Sequence, residues 1–400
     1  MQPRRAAPRL RIAGALAGLA ALCATPALAA AQSDGYYGVV PAAGAVPPDN
    51  DFAQMAAGGA DGARVSIQWP YVETEPGVYD WSATDDFVRR AIAHDVEPLA
   101  FIYGTARWAA EMDGEDCPEI TSCTTLGPSS DATRRAFAAF ARKAVERYGP
   151  NGEFFRDPPP CPITVPEPVP DPADICPAEP PCQCETASPV RRWQVWNEQN
   201  SPKYFAPTAD ARSYASLLKR TSKAIRAADA GAEVILGGMW GPNSYLGEPA
   251  TRPVVPVSLY LKRLYRVRGV ANAFDTVGVH PYSENVSGAL AQLRVARKSL
   301  DRAGDRKAGI WITEIGWASG GPRDDPYVKG INGQALLAAR LLRKFDAKRR
   351  AFRLRGVFWY SWRDDPFGDQ ICSWCANAGL RTRSGAPKPS WESFVRVAAR

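Results

Sequence analysis

Short apolar runs rich in β-branched and aromatic residues recur along the chain. Each is followed by turn residues and then by a stretch whose apolar positions fall three and four apart. The runs are Tyr36–Val40, Ala63–Gln68, Glu97–Tyr103, Arg192–Trp196, Glu233–Gly237, Thr276–His280, Gly309–Thr313 and Gly356–Tyr360. The intervening stretches read as amphipathic helices. Ser82-x-x-Asp85 predicts a capping box that opens a helix with Val88, Ala91 and Ile92 on one face. Phe137, Phe140, Ala144, Val145 and Tyr148 form a second stripe, which Gly149 ends. Tyr214, Leu217, Leu218, Thr221 and Ile225 form a third, and residues Gln334–Phe345 a fourth. Eight strands alternating with helices predict an α/β protein with a parallel sheet, and eight is the number that closes a (β/α)8 TIM barrel. A doubly wound open sheet would want a glycine-rich phosphate loop after the first run, and Gly35–Pro48 contains no G-x-G-x-x-G.

Two segments break this rhythm. Residues 157–189 hold 12 of the 36 prolines, six acidic residues, four cysteines and no Lys or Arg. Proline removes amide donors and stops helices, so this stretch predicts a surface insertion between the third helix and the fourth strand, on the barrel's N-terminal face. At the N-terminus, Arg4, Arg5, Arg9 and Arg11 precede an apolar stretch from Ile12 to Ala24, then Pro26 and Ala27-Leu28-Ala29. That is the layout of a cleaved secretory signal over residues 1–31, leaving 32–400 as a single domain, secreted or associated with the cell envelope. No other apolar run approaches the ~20 residues that span a bilayer.

Export bears on the cysteines. With Cys23 inside the signal, eight remain, an even number that suggests disulfides. Cys117 with Cys123 and Cys372 with Cys375 are the natural local pairs, while Cys161, Cys176, Cys182 and Cys184 fall together in the insertion. Zinc is the competing reading for the close spacings, but neither histidine, His94 or His280, lies near them in sequence. Composition then narrows the partners. The chain of 400 residues is 45% hydrophobic and 23% charged, in the ordinary globular range. Its formal charge of +7 falls to +3 once the four leading arginines are set aside, 45 basic against 42 acidic residues. So small a balance argues against nucleic acid or an anionic membrane as the main partner.

In a (β/α)8 barrel the reactive groups come from the C-terminal ends of strands. The fourth run passes directly into Asn197-Glu198-Gln199-Asn200, and the seventh into Glu314-Ile315-Gly316-Trp317. Strands 4 and 7 lie on opposite sides of an eight-stranded ring, so two carboxyl groups face each other across the mouth. Facing carboxylic acids are the minimal apparatus of glycoside hydrolysis: one protonates the leaving oxygen, and the other attacks the anomeric carbon or activates water.

These residues carry a family resemblance. Trp196-Asn197-Glu198-Gln199-Asn200 resembles the Trp-Asn-Glu-Pro-Asn motif of clan A retaining glycoside hydrolases, and Ile312-Thr313-Glu314-Ile315-Gly316-Trp317 resembles the nucleophile strand of that clan. Family 39, with its β-xylosidases, α-iduronidases and exopolysaccharide hydrolases, is the most similar. Arg64, the Trp69 to Trp81 stretch, Val279-His280-Pro281-Tyr282 and Phe358-Trp359-Tyr360-Ser361-Trp362 support it. The resemblance implies Glu198 as acid/base and Glu314 as nucleophile. It further implies Asn197 on the sugar 2-hydroxyl, Tyr282 donating to Glu314, Arg64 beneath Glu314, His280 on the floor, and Trp359 or Trp362 as sugar platform. One residue departs from the pattern: Gln199 stands where the motif has proline, which could shift the loop carrying Glu198.

Other readings compete. Arg64 and His280 could be satisfied core residues, and Trp193, Trp311 and Trp359 could fill the barrel or its helix interface. Trp108, Trp240, Trp317 and Trp362 follow strand ends and are candidates to stack on sugar rings. The Asn285-Val286-Ser287 sequon carries no weight in a composition that looks bacterial. The reading as a whole is a monomeric, exported hydrolase of a carbohydrate substrate, with no metal or cofactor. A non-catalytic carbohydrate-binding barrel and a transglycosylase on cell-envelope glycans are the alternatives.

Overall fold

A computed structural model describes residues 36–42, 46–156, 189–241 and 254–399. All of them belong to one compact unit, Gln32–Arg400. The expected signal segment, residues 1–31, lies outside the described residues, as does the expected insertion up to residue 188 with Cys161, Cys176, Cys182 and Cys184.

Eight parallel strands close a barrel in sequence order, the last pairing with the first. They are β1 (Tyr37–Val40), β2 (Gly62–Gln68), β3 (Glu97–Tyr103), β4 (Arg192–Asn197), β5 (Glu233–Trp240), β6 (Thr276–His280), β7 (Gly309–Ile315) and β8 (Leu354–Tyr360). Around them run α1 (Asp49–Ala57), α2 (Trp69–Val72), α3 (Ser82–Ala93), α4 (Arg107–Met112), α5 (Asp131–Tyr148) and α6 (Glu153–Arg156). The ring is completed by α7 (Ala211–Ala228), α8 (Val257–Leu264), α9 (Val286–Arg302), α10 (Gly330–Phe352) and α11 (Pro389–Ala398). The expected (β/α)8 barrel is therefore present, and all eight predicted runs are strands.

Local chemistry explains the element ends. Ser130 caps α5 by accepting from the Thr133 amide, Asp210 caps α7, and Asn285 caps α9 by accepting from the Gly288 amide. The sequon asparagine thus has a structural task. The predicted capping box at Ser82 is not formed: Trp81 holds the N-cap position, and Asp80 Oδ1 accepts from the Ser82 amide at 2.9 Å. Asp85 instead faces α5, accepting from Tyr148 Oη at 2.6 Å and from Arg147 Nε at 2.8 Å. A tertiary ion pair has outcompeted the local cap.

At the N-terminal end of the barrel, Glu233 accepts from the Trp311 indole at 2.8 Å and the Thr276 hydroxyl at 2.7 Å, while Arg192 pairs with Glu97. These polar groups are consumed within the wall, as expected of the face that serves stability. Cys117–Cys123 and Cys372–Cys375 are disulfides, with Cα separations of 5.7 and 5.2 Å. No described helix is long and apolar enough to cross a membrane.

Candidate active site

The tip of β4 is bent into an unusual backbone path. Trp196 and Glu198 both have positive φ, 71° and 45°, a left-handed conformation that side chains with a Cβ seldom adopt. Several contacts hold it there. The Trp196 indole donates to Tyr204 O at 2.7 Å, and its ring packs edge-on against Phe205 and Tyr103. The Glu198 amide donates to Gly238 O at 2.8 Å, and Gln199 Nε2 donates to Gly237 O at 3.1 Å. Asn200 bridges onward, accepting from the Trp240 amide and donating to the Trp240 and Val255 carbonyls, each at 2.9 Å. Gln199 therefore ties the loop to β5 by a side-chain hydrogen bond, and the missing proline leaves the loop anchored.

The turn aims Glu198 into the barrel mouth, where β7 delivers Glu314. His280, at the tip of β6 and fully buried, lies between the two. Its Nδ1 is 2.7 Å from Glu198 Oε1 and 3.5 Å from Glu314 Oε2, and its Nε2 is 3.0 Å from Thr313 Oγ1. One donor atom from each of Glu198, His280 and Glu314 lies within 4.8 Å of the others. Gly238 makes room for the imidazole: a Cβ built there would come within 2.0 Å of His280 Nε2.

The environments of the two acids differ. Glu314 accepts from Arg64, whose other guanidinium nitrogen donates to Asn197 Oδ1 at 2.7 Å, and from Tyr282 Oη at 3.1 Å. Arg64 lies over Phe101 at 3.9 Å and is almost entirely buried. Burial pushes the Glu314 carboxyl up, but the His280 and Arg64 charges and the bonds from Arg64 and Tyr282 outweigh it, so Glu314 sits below the ordinary range. Glu198 is pushed above that range, first by burial and then by the Glu314 charge, against the opposing pull of His280. The two acids are thus shifted in opposite directions, which favours the charged form of Glu314 and the neutral form of Glu198. Two carboxylates and an imidazole could also take a divalent cation, but Arg64 already supplies the balancing charge to Glu314, and we assign no cation here.

Both acids open onto a cavity of about 700 Å³ that is far richer in aromatic and aliphatic surface than in polar groups. Arg64, Asn197, Tyr282 and Trp240 line it, as the sequence suggested. Four other candidates stand elsewhere. Trp317 is fully buried and donates to Ser283 O; Trp359, equally buried, donates to Ala378 O; Trp362 packs edge-on against Trp391. Trp108 packs on Trp69 and donates to Glu73 O at 3.0 Å. None of the four lies on the cavity wall, where the sequence had placed them as sugar-stacking surfaces. That wall is instead built by Tyr360, Trp374, Tyr103 and Tyr71. Tyr360 follows Trp359 on β8, so the period-two rule turns one ring inward when the other faces the helices.

No family model and no curated protein matches the sequence. Solved structures do. A family 39 glycoside hydrolase from Bacteroides cellulosilyticus is 21% identical with a TM-score of 0.59, covering 92% of this chain and 64% of its own. A monomeric β-xylosidase from Caulobacter crescentus is 17% identical with a TM-score of 0.59, covering 91% of this chain and 68% of its own. One of two fungal β-1,4-galactanases is 15% identical with a TM-score of 0.55, covering 86% of this chain and 90% of its own. The chain thus spans less than two thirds of the first of these proteins. The fold is the (β/α)8 barrel of these glycoside hydrolases, family 39 enzymes foremost among them, and at these identities the likeness is one of fold.

Proposed function

We propose that the protein is an exported, retaining glycoside hydrolase that cleaves O-glycosidic bonds of an oligo- or polysaccharide through a glycosyl-enzyme intermediate. One observation carries the reading. Glu198 and Glu314 share one imidazole, approach within 4.8 Å through one carboxylate oxygen of each, and are shifted in opposite directions. Retaining pairs stand about 5–5.5 Å apart, whereas inverting pairs leave about 6.5–9.5 Å for a water. The close approach favours direct attack by a carboxylate.

In the first step Glu314 attacks the anomeric carbon while Glu198 gives its proton to the departing oxygen. The C–O bond to the leaving group breaks, and an ester to Glu314 forms. In the second step Glu198, now ionised, takes a proton from water, whose oxygen displaces Glu314. Asn197 spends its carbonyl oxygen on Arg64, leaving its amide N–H groups for a sugar hydroxyl. Trp240 and Tyr282 offer ring faces to sugar C–H groups. We take residues 1–31 as a signal peptide and 32–400 as one catalytic domain with 157–189 as an insertion. The enzyme is read as a monomer that needs no cofactor, secreted or held at the cell envelope.

The test is a panel of aryl glycosides and bacterial exopolysaccharides with wild type and Glu198→Ala, the first-formed sugar being followed by proton NMR. Retention of the anomer is expected, with Glu198→Ala sparing bond cleavage for good leaving groups. A first-formed inverted anomer overturns the retaining assignment, and no turnover on any member favours the non-catalytic barrel.

A further inference from the structure

The loop after β8 carries a feature that the two-carboxylate chemistry does not use. Cys372 and Cys375 close a disulfide across Ser373 and Trp374, and Cys372, Trp374 and Cys375 all line the catalytic cavity. The loop is anchored on both sides. Lys203 Nζ donates to Ile371 O at 3.1 Å, and the Ser373 hydroxyl donates to Asp325. Tyr327, beyond β7, stacks on the Trp374 ring at 5.3 Å and 27°.

The same indole also meets the site, and Tyr327 itself reaches the Tyr282 ring at 6.5 Å. Trp374 packs edge-to-face on Tyr282 at 5.2 Å, and Tyr282 Oη is the donor to Glu314. Tyr360 packs against the same indole at 6.1 Å. Tyr282 has Trp240 as its neighbour on the β5 side, at 5.2 Å. The phenol thus has two indoles, Trp240 and Trp374, as its nearest ring neighbours, with Tyr327 and Tyr360 farther off at 6.5 Å, and Trp374 is carried by a four-residue disulfide loop. Cys372 is half-buried, within reach of a small reductant, whereas Cys375 is buried.

We propose that Trp374, locked by the Cys372–Cys375 disulfide, is a positioning residue that holds the Tyr282 hydroxyl on Glu314. The inference rests on Glu314 being the nucleophile, and it adds a redox-sensitive support to that group. Freed of the disulfide, the loop lets the indole retreat, Tyr282 loses its backing, and its bond to Glu314 lengthens. The charged and titratable groups facing Glu314 are Arg64 from β2, His280 from β6, Glu198 beyond β4, Tyr282 beyond β6 and Tyr360 from β8. Of these, only the aromatic pair Tyr282 and Tyr360 touches Trp374. The Tyr282 bond is among the contributions that hold Glu314 low, so losing it moves the Glu314 titration upward.

The test compares wild type, Trp374→Ala, Trp374→Phe and the double variant Cys372→Ser/Cys375→Ser. The other disulfide, removed in Cys117→Ser/Cys123→Ser, is the control, because it packs in a separate small cluster with Ala110 and Leu126. Two readouts are taken: the acidic limb of kcat/KM against pH, and the Glu314 carboxyl titration by carbon-13 NMR. The expected result is an upward move of both in Trp374→Ala and Cys372→Ser/Cys375→Ser, matching Tyr282→Phe, with Trp374→Phe restoring most of it. Adding Trp374→Ala to Tyr282→Phe should move the limb no further. An unmoved Glu314 titration in both Trp374→Ala and Cys372→Ser/Cys375→Ser overturns the proposal. So does an equal shift in the Cys117→Ser/Cys123→Ser control. The NMR titration needs no turnover, so a wild type inactive on every glycoside would defeat the hydrolase reading and still leave this one decided.

Discussion

Gly238→Ala is a one-methyl change that the site cannot absorb. The new Cβ would lie 2.0 Å from His280 Nε2 and 2.7 Å from two ring carbons, against the 3.4 Å at which ordinary contact begins. The imidazole must therefore retreat by more than an ångström. It cannot do so while keeping its hydrogen bonds to Glu198 at 2.7 Å and Thr313 at 3.0 Å. Each buried partner left unsatisfied costs about 1–3 kcal/mol, and overpacking adds about 1–3 kcal/mol. The expected destabilisation is about 3–9 kcal/mol, large against a total stability of about 5–15 kcal/mol. In the fraction that folds, displacement of Glu198 should cost on the order of 100-fold in turnover. The assay is urea denaturation followed by steady-state kinetics on an aryl glycoside with a poor leaving group, which needs protonation most. Removing the ring in the same chain, as Gly238→Ala/His280→Ala, should recover part of the stability without restoring turnover. A Gly238→Ala protein with the wild-type denaturation midpoint and full turnover would refute the placement of His280 between the two acids.

Two further outcomes follow from the same geometry. Arg64→Met removes a charge that lowers both acids, so both limbs of the pH profile should move upward. The depressed titration of Glu314 contributes stability that is present above its unfolded value and lost as pH falls through the folded one; that contribution should shrink in Arg64→Met when denaturation is measured against pH. Replacing residues 158–188 by a short Gly-Ser linker should leave turnover close to wild type, because the described chain stops at α6 and resumes at the N-terminal end of β4, the end opposite the mouth; a large loss in a folded variant would place the segment at the active site.

Much of the architecture was legible because it depends on local periodicity. Strand β3 and strand β6 run over the residues their apolar runs mark, and the stripe from Tyr214 to Ile225 is the buried face of α7. The two glutamates were legible for the same reason, since a carboxylate directly following an apolar strand in a barrel falls at the mouth. What the sequence could not convey was long-range competition and facing. Asp85 gave up its helix cap for Arg147 and Tyr148, residues more than sixty positions away. The choice between Trp359 and Tyr360 hung on which face of β8 each presents, and because that strand end is buried on both faces no polar alternation announces the parity. Trp374 was hidden differently: its neighbouring cysteines read as a staple, and nothing local reveals that the staple borders the cavity.

The central claim is that Glu314 attacks the sugar. Its most direct test is covalent trapping: incubation with 2-deoxy-2-fluoro aryl glycosides bearing a good leaving group, then proteolysis and mass mapping of the labelled peptide. The account predicts one adduct, carried by Glu314 and absent from Glu314→Ala, with Glu198→Ala still labelled. An adduct on Glu198 or any other residue, or a Glu314→Ala enzyme that turns over substrate at the wild-type rate, would contradict it.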